Sequence, residues 1–312
     1  ANATGGTFAA SNYNISYANG TLTVTPANLT ITANSTTTQY GLGTTLGSTA
    51  FTSSGLQNSE TIGAVTLTSV GSAATANVGA YNITSSAATG GTFDINNYNV
   101  SYANGTLNVT PAPLTLTADN QSRTYGAANP TAGTVTVSGT LYNGNAVGNA
   151  TLSSSATHTT AAGSTANLTA SNALFSNGSA GNYNITYVDG SLSVTQANLT
   201  ITANNTSKTY GQALTFAGTE FSASALANGE TLSAVALSST GAAATANVNG
   251  GAAYAIVASN ATGANGFVAS NYNISYANGS LTVNPAQLGI SASGVYSGST
   301  LVTPTAFAVT GL

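Results

Sequence analysis

Apolar and polar side chains alternate along the stretch from Asn12 to Pro26. Alternation with a period of two residues is typical of a β-strand that buries one face. The apolar positions are Tyr13, Ile15, Tyr17, Leu22 and Val24. Between the two alternating runs lies Asn19-Gly20, a pair that readily takes positive φ at both central positions of a type I′ turn. The pattern therefore predicts a β-hairpin.

The same pattern returns at residues 97–111, 182–196 and 271–285, with a period close to 85 residues. A fixed period of this length indicates a tandem array of structural modules. We place the boundaries where each pattern ends. This gives the C-terminal part of a preceding module (1–25), three complete modules (26–110, 111–195 and 196–284) and the N-terminal part of a following module (285–312). We expect the chain to be a segment of a longer repetitive protein.

Tyrosine, glycine and proline recur at equivalent positions and form a structural signature, which includes a Tyr-Gly pair in each complete module. The signature residues are Tyr13, Tyr17, Gly20, Pro26, Tyr40, Gly41, Tyr98, Tyr102, Gly105, Pro111, Tyr125, Gly126, Tyr183, Tyr187, Gly190, Tyr210, Gly211, Tyr272, Tyr276, Gly279 and Pro285. Recurrence favours a core role for the tyrosines, with each hydroxyl at a sheet edge or a module junction. The alternative is an aromatic face that binds sugars.

A proline and an alanine follow the second alternating run in three of the four copies, as at Pro26-Ala27, whereas Gln196 replaces the proline in the other. Proline lacks an N–H donor and interrupts a sheet ladder. A new alternating run with Leu29 and Ile31 starts at once. Because the junction is short and stiff, we expect modules that follow one another in an extended rod, unlike modules on a flexible Gly/Ser linker.

The middle of each module contains aligned segments that begin at Glu60, Asn145 and Glu230. They are short and rich in threonine, serine and alanine, and no segment has the apolar spacing of a long amphipathic helix. A single short helix around Leu56 or Leu226 is also compatible with the sequence. We predict all-β modules with about six or seven strands each.

The composition restricts the function further. Charged residues make up 3% of the chain, which has net charge −4 and only two basic residues. Such a chain has almost nothing with which to neutralise phosphates, so nucleic acid is not an expected partner. No apolar run reaches the length of about 18 residues that a membrane-spanning helix requires. Cysteine is absent, so disulfides cannot stabilise the modules.

The combination Asn-Tyr-x-Ile-x-Tyr-x-x-Gly-x-Leu-x-Val-x-Pro-Ala, with Tyr-Gly downstream, resembles the MBG repeats (mostly β-grasp, Tyr-Gly type) of large bacterial haemagglutinin-like surface adhesins. The resemblance covers essentially the whole chain. In that family Lys-x or Arg-x often precedes Tyr-Gly, as at Lys208 and Arg123, and Thr38 departs from this by lacking the charge. The resemblance implies a β-grasp-like fold and an adhesin at the bacterial surface. It brings no catalytic residues.

Candidate chemistry is sparse. His158 is the only histidine, so a triad or a His-ligated metal would lack partners. The acidic residues are Glu60, Asp94, Asp119, Asp189, Glu220 and Glu230, with no calcium-loop spacing among them. Lys208 is expected to be solvated or paired with an acid. We predict no catalytic residue, no metal site and no cofactor.

Two features leave alternatives open. Asn-x-Ser/Thr triplets recur, at Asn14, Asn99, Asn184 and Asn273 in the first run and at Asn19, Asn104 and Asn278 in the turn. They could carry sugars or form side-chain ladders with neighbouring strands. Tyr142, which occurs in one module only, is a better ligand candidate than the recurring tyrosines.

Two functions follow as hypotheses. The first is a stalk or filament segment of a secreted or surface-anchored adhesin, with neighbouring modules of the same chain as its partners. The second is a set of repeats that themselves bind host or matrix glycan in adhesion or biofilm, or that associate laterally through exposed sheet edges.

Overall fold

The computed structural model describes residues 3–295, 298, 304 and 306–311, so part of the segment 285–312 lies outside the described residues. Within them, regular structure consists of β-strands and short 3-10 helices, and no helix reaches seven residues. The all-β prediction and the tandem repeats are confirmed. No helix forms around Leu56 or Leu226. The 3-10 helices are Ala10–Asn12, Val70–Ser72, Ile95–Asn97, Ala180–Asn182, Thr240–Ala242, Asn249–Gly251 and Ala269–Asn271.

Each repeat contributes a similar series of strands. The first contains β1 (Ala27–Ala33), β2 (Thr36–Gln39), β3 (Phe51–Ser54), β4 (Ile62–Thr68), β5 (Gly79–Gly91), β6 (Tyr98–Ala103) and β7 (Gly105–Thr110). The second contains β8 (Ala112–Ala118), β9 (Gln121–Thr124), β10 (Ala132–Gly133), β11 (Val135–Gly139), β12 (Ala146–Val147), β13 (Ala150–Ser153), β14 (Thr165–Ser171), β15 (Phe175–Asn177), β16 (Tyr183–Val188) and β17 (Gly190–Thr195). The third contains β18 (Ala197–Ala203), β19 (Thr206–Thr209), β20 (Phe221–Ala223), β21 (Thr231–Ser238), β22 (Tyr254–Ala264), β23 (Tyr272–Ala277) and β24 (Gly279–Asn284). An antiparallel pair follows, β25 (Gly289–Ser293) and β26 (Ala306–Thr310).

The strands of each repeat form a smaller and a larger sheet. In the first repeat the orders are β3-β1-β6 and β2-β7-β5-β4. The third repeat has the same arrangement, β20-β18-β23 and β19-β24-β22-β21. The second has β11-β8-β16 and β10-β13-β14-β17-β9, with β12 and β15 as a separate pair.

The predicted β-hairpin is wrong. β6 and β7 form where the alternation places strands, but they do not pair with each other. β6 pairs in parallel with β1, whereas β7 lies in the other sheet between β2 and β5. Alternation shows that each strand buries one face, and it does not identify the neighbouring strand. The Asn-Gly pair therefore marks a passage between two sheets.

The recurring glycine lacks a side chain, which lets the two segments approach closely where they pass from one sheet to the other. β1 and β2 run beside β6 and β7 in one register, so the two segments change sheet together. A Cβ on Gly105 would lie 2.5 Å from the carbonyl oxygen of Ala33. The equivalent contacts are Gly190 with Ala118 at 2.2 Å and Gly279 with Ala203 at 2.4 Å. None of these glycines has positive φ, so the expected type I′ geometry is absent.

The first copy of the pattern has no strand between Tyr13 and Pro26. In the other copies the corresponding strands pair with partners about 71 to 75 residues earlier in the chain. Tyr13 and Tyr17 are 64% and 61% exposed. The core placement that we expected for these two tyrosines is wrong.

The described chain divides into two compact units. The first comprises residues up to Pro113 with Thr140–Asn145 and Gly178–Asn184, and the second comprises Leu114–Gly139, Ala146–Asn177 and the described residues from Ile185 onward. In the first unit, one apolar cluster contains Leu29, Ile31 and Val65, and a second contains Ala33, Ile83 and Leu107. In the second unit, the fully buried side chains Leu199, Ile201, Ile256 and Leu281 form a cluster with Tyr125. The transfer of each such side chain from water to the core stabilises the fold by about 1.5–3 kcal/mol.

Candidate functional site: a tyrosine pocket at the Tyr-Gly pairs

Each Tyr-Gly pair directly follows a short strand of the larger sheet. The backbone N–H of Tyr40 donates to the carbonyl of Thr110 at 2.9 Å, and that of Tyr125 donates to Thr195 at 2.8 Å. The glycines that follow have φ of +89° at Gly41 and +80° at Gly126. Glycine adopts this left-handed geometry at no steric cost, so it turns the chain sharply after the tyrosine.

The basic residue two positions before Tyr-Gly is buried. The Lys208 ammonium, whose side chain is 7% exposed, donates to the carbonyls of Gln212 and Ala243. The Arg123 guanidinium donates to the carbonyls of Thr124 and Thr157. The expectation that Lys208 is solvated or paired with an acid is wrong, because backbone carbonyls supply its partners. The contact of Lys208 with Gln212 holds the loop after Tyr210-Gly211.

In the first unit, the ring of Tyr40 lies in a pocket formed by Tyr142, Asn145 and Tyr183. Its centroid is 6.3 Å from that of Tyr142 and 5.5 Å from that of Tyr183, both in edge-to-face geometry. Asn145 Nδ2 donates to the hydroxyls of Tyr40 and Tyr183 at 3.1 and 3.0 Å. Tyr142, the single-module ligand candidate, is therefore a wall of this pocket.

In the second unit, Tyr125 occupies an equivalent pocket formed by Ala227, Glu230 and Tyr272. The two rings meet edge-to-face at 5.6 Å. The carboxylate of Glu230 accepts from Tyr125 at Oε1 (2.5 Å) and from Tyr272 at Oε2 (2.7 Å). Tyr125, Glu230 and Tyr272 are all at most 6% exposed. Buried hydroxyls and a buried carboxylate thus satisfy one another.

The glycines of the first two pairs, Gly41 and Gly126, make room for a pocket wall. A Cβ on Gly41 would lie 2.0 Å from Cγ of Tyr142, and one on Gly126 would lie 2.4 Å from Cβ of Ala227. Gly211 has φ +87° and no neighbouring atom within 4 Å of its ideal Cβ. The Tyr-Gly motif is therefore both a turn and a close-packed contact surface at Gly41 and Gly126.

Two asparagines fasten each pocket to a neighbouring loop. Asn143 Nδ2 donates to the Ala74 carbonyl at 3.1 Å, and Asn228 Nδ2 donates to the His158 carbonyl at 3.2 Å. The asparagine that precedes the first signature tyrosine accepts a backbone N–H. Asn182 accepts from Val78 and Asn271 accepts from Ala162, both at 3.0 Å.

The tyrosine–carboxylate contacts shift the pKa of three tyrosines. Burial, reinforced by the hydrogen bond to Glu230, raises the pKa of Tyr272 to about 12. The same two causes raise the pKa of Tyr125. The hydrogen bond to Glu60 raises the pKa of Tyr98. In each case the environment favours the neutral phenol over the phenolate.

The signature tyrosines occupy two kinds of position. Tyr98, Tyr183 and Tyr272, which begin a strand, are buried. Each of their hydroxyls also accepts a backbone N–H, from Gln57, Tyr142 and Ala227 respectively. The tyrosines four residues later are half-exposed, and their hydroxyls accept the N–H groups of Ala88, Ala173 and Ala261. The second set are Tyr102, Tyr187 and Tyr276.

The signature prolines lie at short breaks between strands. Pro111 is the single residue between β7 and β8, and Pro26 directly precedes β1. Gln196 takes the same place between β17 and β18. Pro285 follows β24.

Other polar residues hold local structure. Asp119 accepts from the hydroxyls of Thr134 and Thr136 at 2.6 Å, which lowers its pKa. Glu220 accepts backbone N–H groups of the preceding turn, which lowers its pKa as well. His158 is exposed, and its Nδ1 lies 3.1 Å from the Gly126 carbonyl oxygen. The described residues include no cluster of three or more His, Cys, Asp or Glu that could hold a metal ion.

Two asparagines of the first alternating run, Asn99 and Asn273, lie in side-chain ladders. Asn99 donates to Asn28 at 3.4 Å, and Asn273 donates to Asn198 at 3.3 Å, each across a parallel strand pair. No helix in the described part of the chain has the length and apolar character that crossing a membrane requires.

The polar residue that hydrogen-bonds the pocket tyrosines was missed as a functional residue from sequence. Glu60, Asn145 and Glu230 begin the aligned middle segments, so the alignment already placed them at equivalent positions. Their side chains differ between modules, and their partners are far away in sequence. The alignment showed that these three residues are equivalent. It could not show that their side chains contact the signature tyrosines.

A family model described as MBG domain (YGX type) matches the chain three times, at residues 29–108, 114–193 and 199–282. No curated protein matches the chain. Each matched range holds one Tyr-Gly pair, and the residues of each pocket also lie within the matched ranges.

Proposed function

Because the chain belongs to the family of MBG domains of the YGX type, we propose that it is a structural segment of a bacterial surface adhesin. Repeats of this family occur in surface adhesin-like proteins, and the family is a structural and adhesin family, not an enzyme family. In this proposal the segment is extracellular, extends a binding domain from the cell as a stalk or filament, and catalyses no reaction.

The tyrosine pocket is the observation that carries the proposal. Tyr40 and Tyr125 each belong to one repeat and are buried among residues of the next. An edge-to-face aromatic pair contributes about 0.5–1.5 kcal/mol beyond its area, and each hydrogen bond contributes about 0.5–1.5 kcal/mol. The two repeats are also joined covalently by a short link, such as the single residue Pro111 between β7 and β8. The link and the pocket therefore restrain neighbouring repeats at two places. Such a joint suits a stalk that transmits force.

Small-angle scattering tests the proposal. A compact particle of 312 residues would have a radius of gyration of about 20 Å. A stalk segment should give a distinctly larger value and a distance distribution with a long tail. A value near that of a compact particle at low protein concentration would contradict the stalk.

A second candidate is that the repeats bind host or matrix glycan. The half-exposed rings of Tyr102 and Tyr276, which are 38% and 36% exposed, favour it because aromatic faces stack on sugars. A glycan array with the intact chain separates the candidates. Binding that disappears in Tyr102→Ala and Tyr276→Ala together would support it, and an array without binding would leave the stalk.

A further inference from the structure

The position two residues before Tyr-Gly carries a buried cation in two of the three repeats. It is Arg123 in the second repeat and Lys208 in the third, whereas the first has Thr38. The two basic side chains are 6% and 7% exposed. Arg123 donates to the carbonyl of Thr157. Lys208 donates to the equivalent carbonyl of its own repeat, that of Ala243.

The equivalent carbonyl in the first repeat is that of Ala73. It accepts the N–H group of the third residue after it at 3.0 Å, and the carbonyls of Thr157 and Ala243 do so at 2.9 and 3.0 Å. The loops after Tyr-Gly also agree, since Gly41 has φ +89° and Gly211 has φ +87°. The backbone that surrounds the buried ammonium group in the third repeat therefore recurs in the first.

The first repeat has no basic side chain to place against these carbonyls, because it contains no lysine or arginine. The hydroxyl of Thr38 donates instead to the Gly43 carbonyl at 2.8 Å. In the third repeat the ammonium group joins the carbonyls of Gln212 and Ala243. The counterpart of the Gln212 carbonyl is that of Leu42, which accepts no hydrogen bond from the described residues.

We propose that the first repeat binds a K⁺ ion at the place where the third repeat has its ammonium group. The protein ligands are the carbonyl oxygens of Leu42 and Ala73 and the hydroxyl oxygen of Thr38, and water completes the shell. K⁺ is close to an ammonium group in size, and backbone carbonyls bind it by replacing its hydration shell. All three ligands are neutral, which disfavours Ca²⁺, because that ion prefers carboxylate oxygens.

The bound ion joins two segments next to the tyrosine pocket of the first unit. Leu42 lies two residues after Tyr40, whose ring fills that pocket. Ala73 directly precedes the carbonyl that accepts from Asn143. K⁺ therefore stabilises the loop that presents Tyr40. The inference does not depend on the stalk, since it concerns an ion bound by the folded chain.

Thermal unfolding in potassium chloride and in choline chloride at equal concentration tests the inference. The unfolding midpoint of the intact chain should be about 2–4 °C higher in K⁺ at concentrations several times the Kd, and the gain should level off. Equal ionic strength removes general screening as a cause. Equal midpoints in the two salts would overturn the inference.

Thr38→Lys supplies the ammonium group from the chain itself. This variant should unfold at a higher temperature than the parent chain in choline chloride, and potassium chloride should raise its midpoint no further. Thr37→Lys, which changes the exposed neighbour, is the matched control and should keep the response to K⁺. If Thr38→Lys responds to K⁺ as the parent chain does, the ion acts elsewhere and the inference is wrong.

Direct binding to the intact chain provides a measurement that needs no variant. Thallium(I) substitutes for K⁺ and is observed by NMR. Its resonance should shift when the chain is added and return when potassium chloride displaces it. A resonance that the chain leaves unshifted would contradict the site.

Discussion

At the residue scale, the polar side chain that joins the two tyrosines of a pocket can be a carboxylate or an amide. The carboxylate of Glu230 accepts one hydroxyl at each oxygen. The amide of Asn145 donates through Nδ2 to both hydroxyls. A tyrosine hydroxyl can donate or accept, so the same aromatic pair fits an acidic or a neutral partner. This polar residue can therefore change between repeats while the two tyrosines stay.

Gly41→Ala should destabilise the chain more than Gly211→Ala. Both substitutions place a side chain at positive φ, which costs roughly 1–2 kcal/mol. Only at Gly41 does the new Cβ also collide with Tyr142, which adds about 1–3 kcal/mol. Urea unfolding of the two variants measures the difference. Equal losses would mean that Tyr142 moves aside freely.

Alkaline pH should destabilise the Tyr272 pocket. The pKa of Tyr272 is about 12 in the folded chain and 10.0 without that environment. Between these values the folded chain keeps a proton that the unfolded chain has lost, so the free energy of unfolding falls as pH rises. This stability is fully present below about pH 10. Urea unfolding at several pH values, together with ultraviolet titration of the tyrosines, checks the slope.

Glu230→Gln is the control for this pH effect. It keeps the size of the side chain and removes the charge that disfavours the phenolate, so the pKa of Tyr272 should move back toward 10.0. The alkaline loss of stability should then be smaller than in the parent chain. An unchanged alkaline slope would show that Glu230 does not cause it.

At the element scale, the fold depends on strands that change sheet together. Gly105→Ala should destabilise the first repeat by about 1–3 kcal/mol, because its Cβ would press on the backbone carbonyl of Ala33. Gly20→Ala is the matched control. Gly20 stands at the same place in the first copy, and a Cβ built on it has no atom within 4 Å. Its substitution should therefore change the free energy of unfolding by no more than about 0.5 kcal/mol. Thermal unfolding distinguishes the two.

At the scale of the whole molecule, stability depends on coupling between repeats. Arrays of this kind gain stability from intrinsic repeat terms and nearest-neighbour contacts. Tyr125→Ala removes a buried ring and leaves Glu230 with one hydroxyl partner fewer, so we expect a loss of about 3–5 kcal/mol.

The unfolding transition of Tyr125→Ala should also broaden or split, because the third repeat would unfold more independently. Denaturant titration followed by tyrosine fluorescence and by circular dichroism measures this. Tyr210→Ala provides the control. Because the side chain of Tyr210 is 45% exposed, its removal should lower the free energy of unfolding only slightly. A single sharp transition in Tyr125→Ala would contradict coupling through the pocket.

The sequence by itself determined the repeats, the all-β class and the positions of the strands at Tyr98–Ala103 and Gly105–Thr110. These are local properties, since a period of two and a period near 85 residues are visible along the chain. It also marked Tyr-Gly and Asn-Gly as special positions, although the type I′ turn that it predicted at Asn-Gly is absent.

Only the tertiary structure decided which strands are neighbours and which residues meet at a pocket. β6 pairs with β1 and not with β7, because packing of two sheets outweighs the local preference of Asn-Gly for a turn. Tyr125 meets Glu230 across 105 residues. Such contacts depend on backbone proximity in three dimensions, which alternation along one strand does not specify.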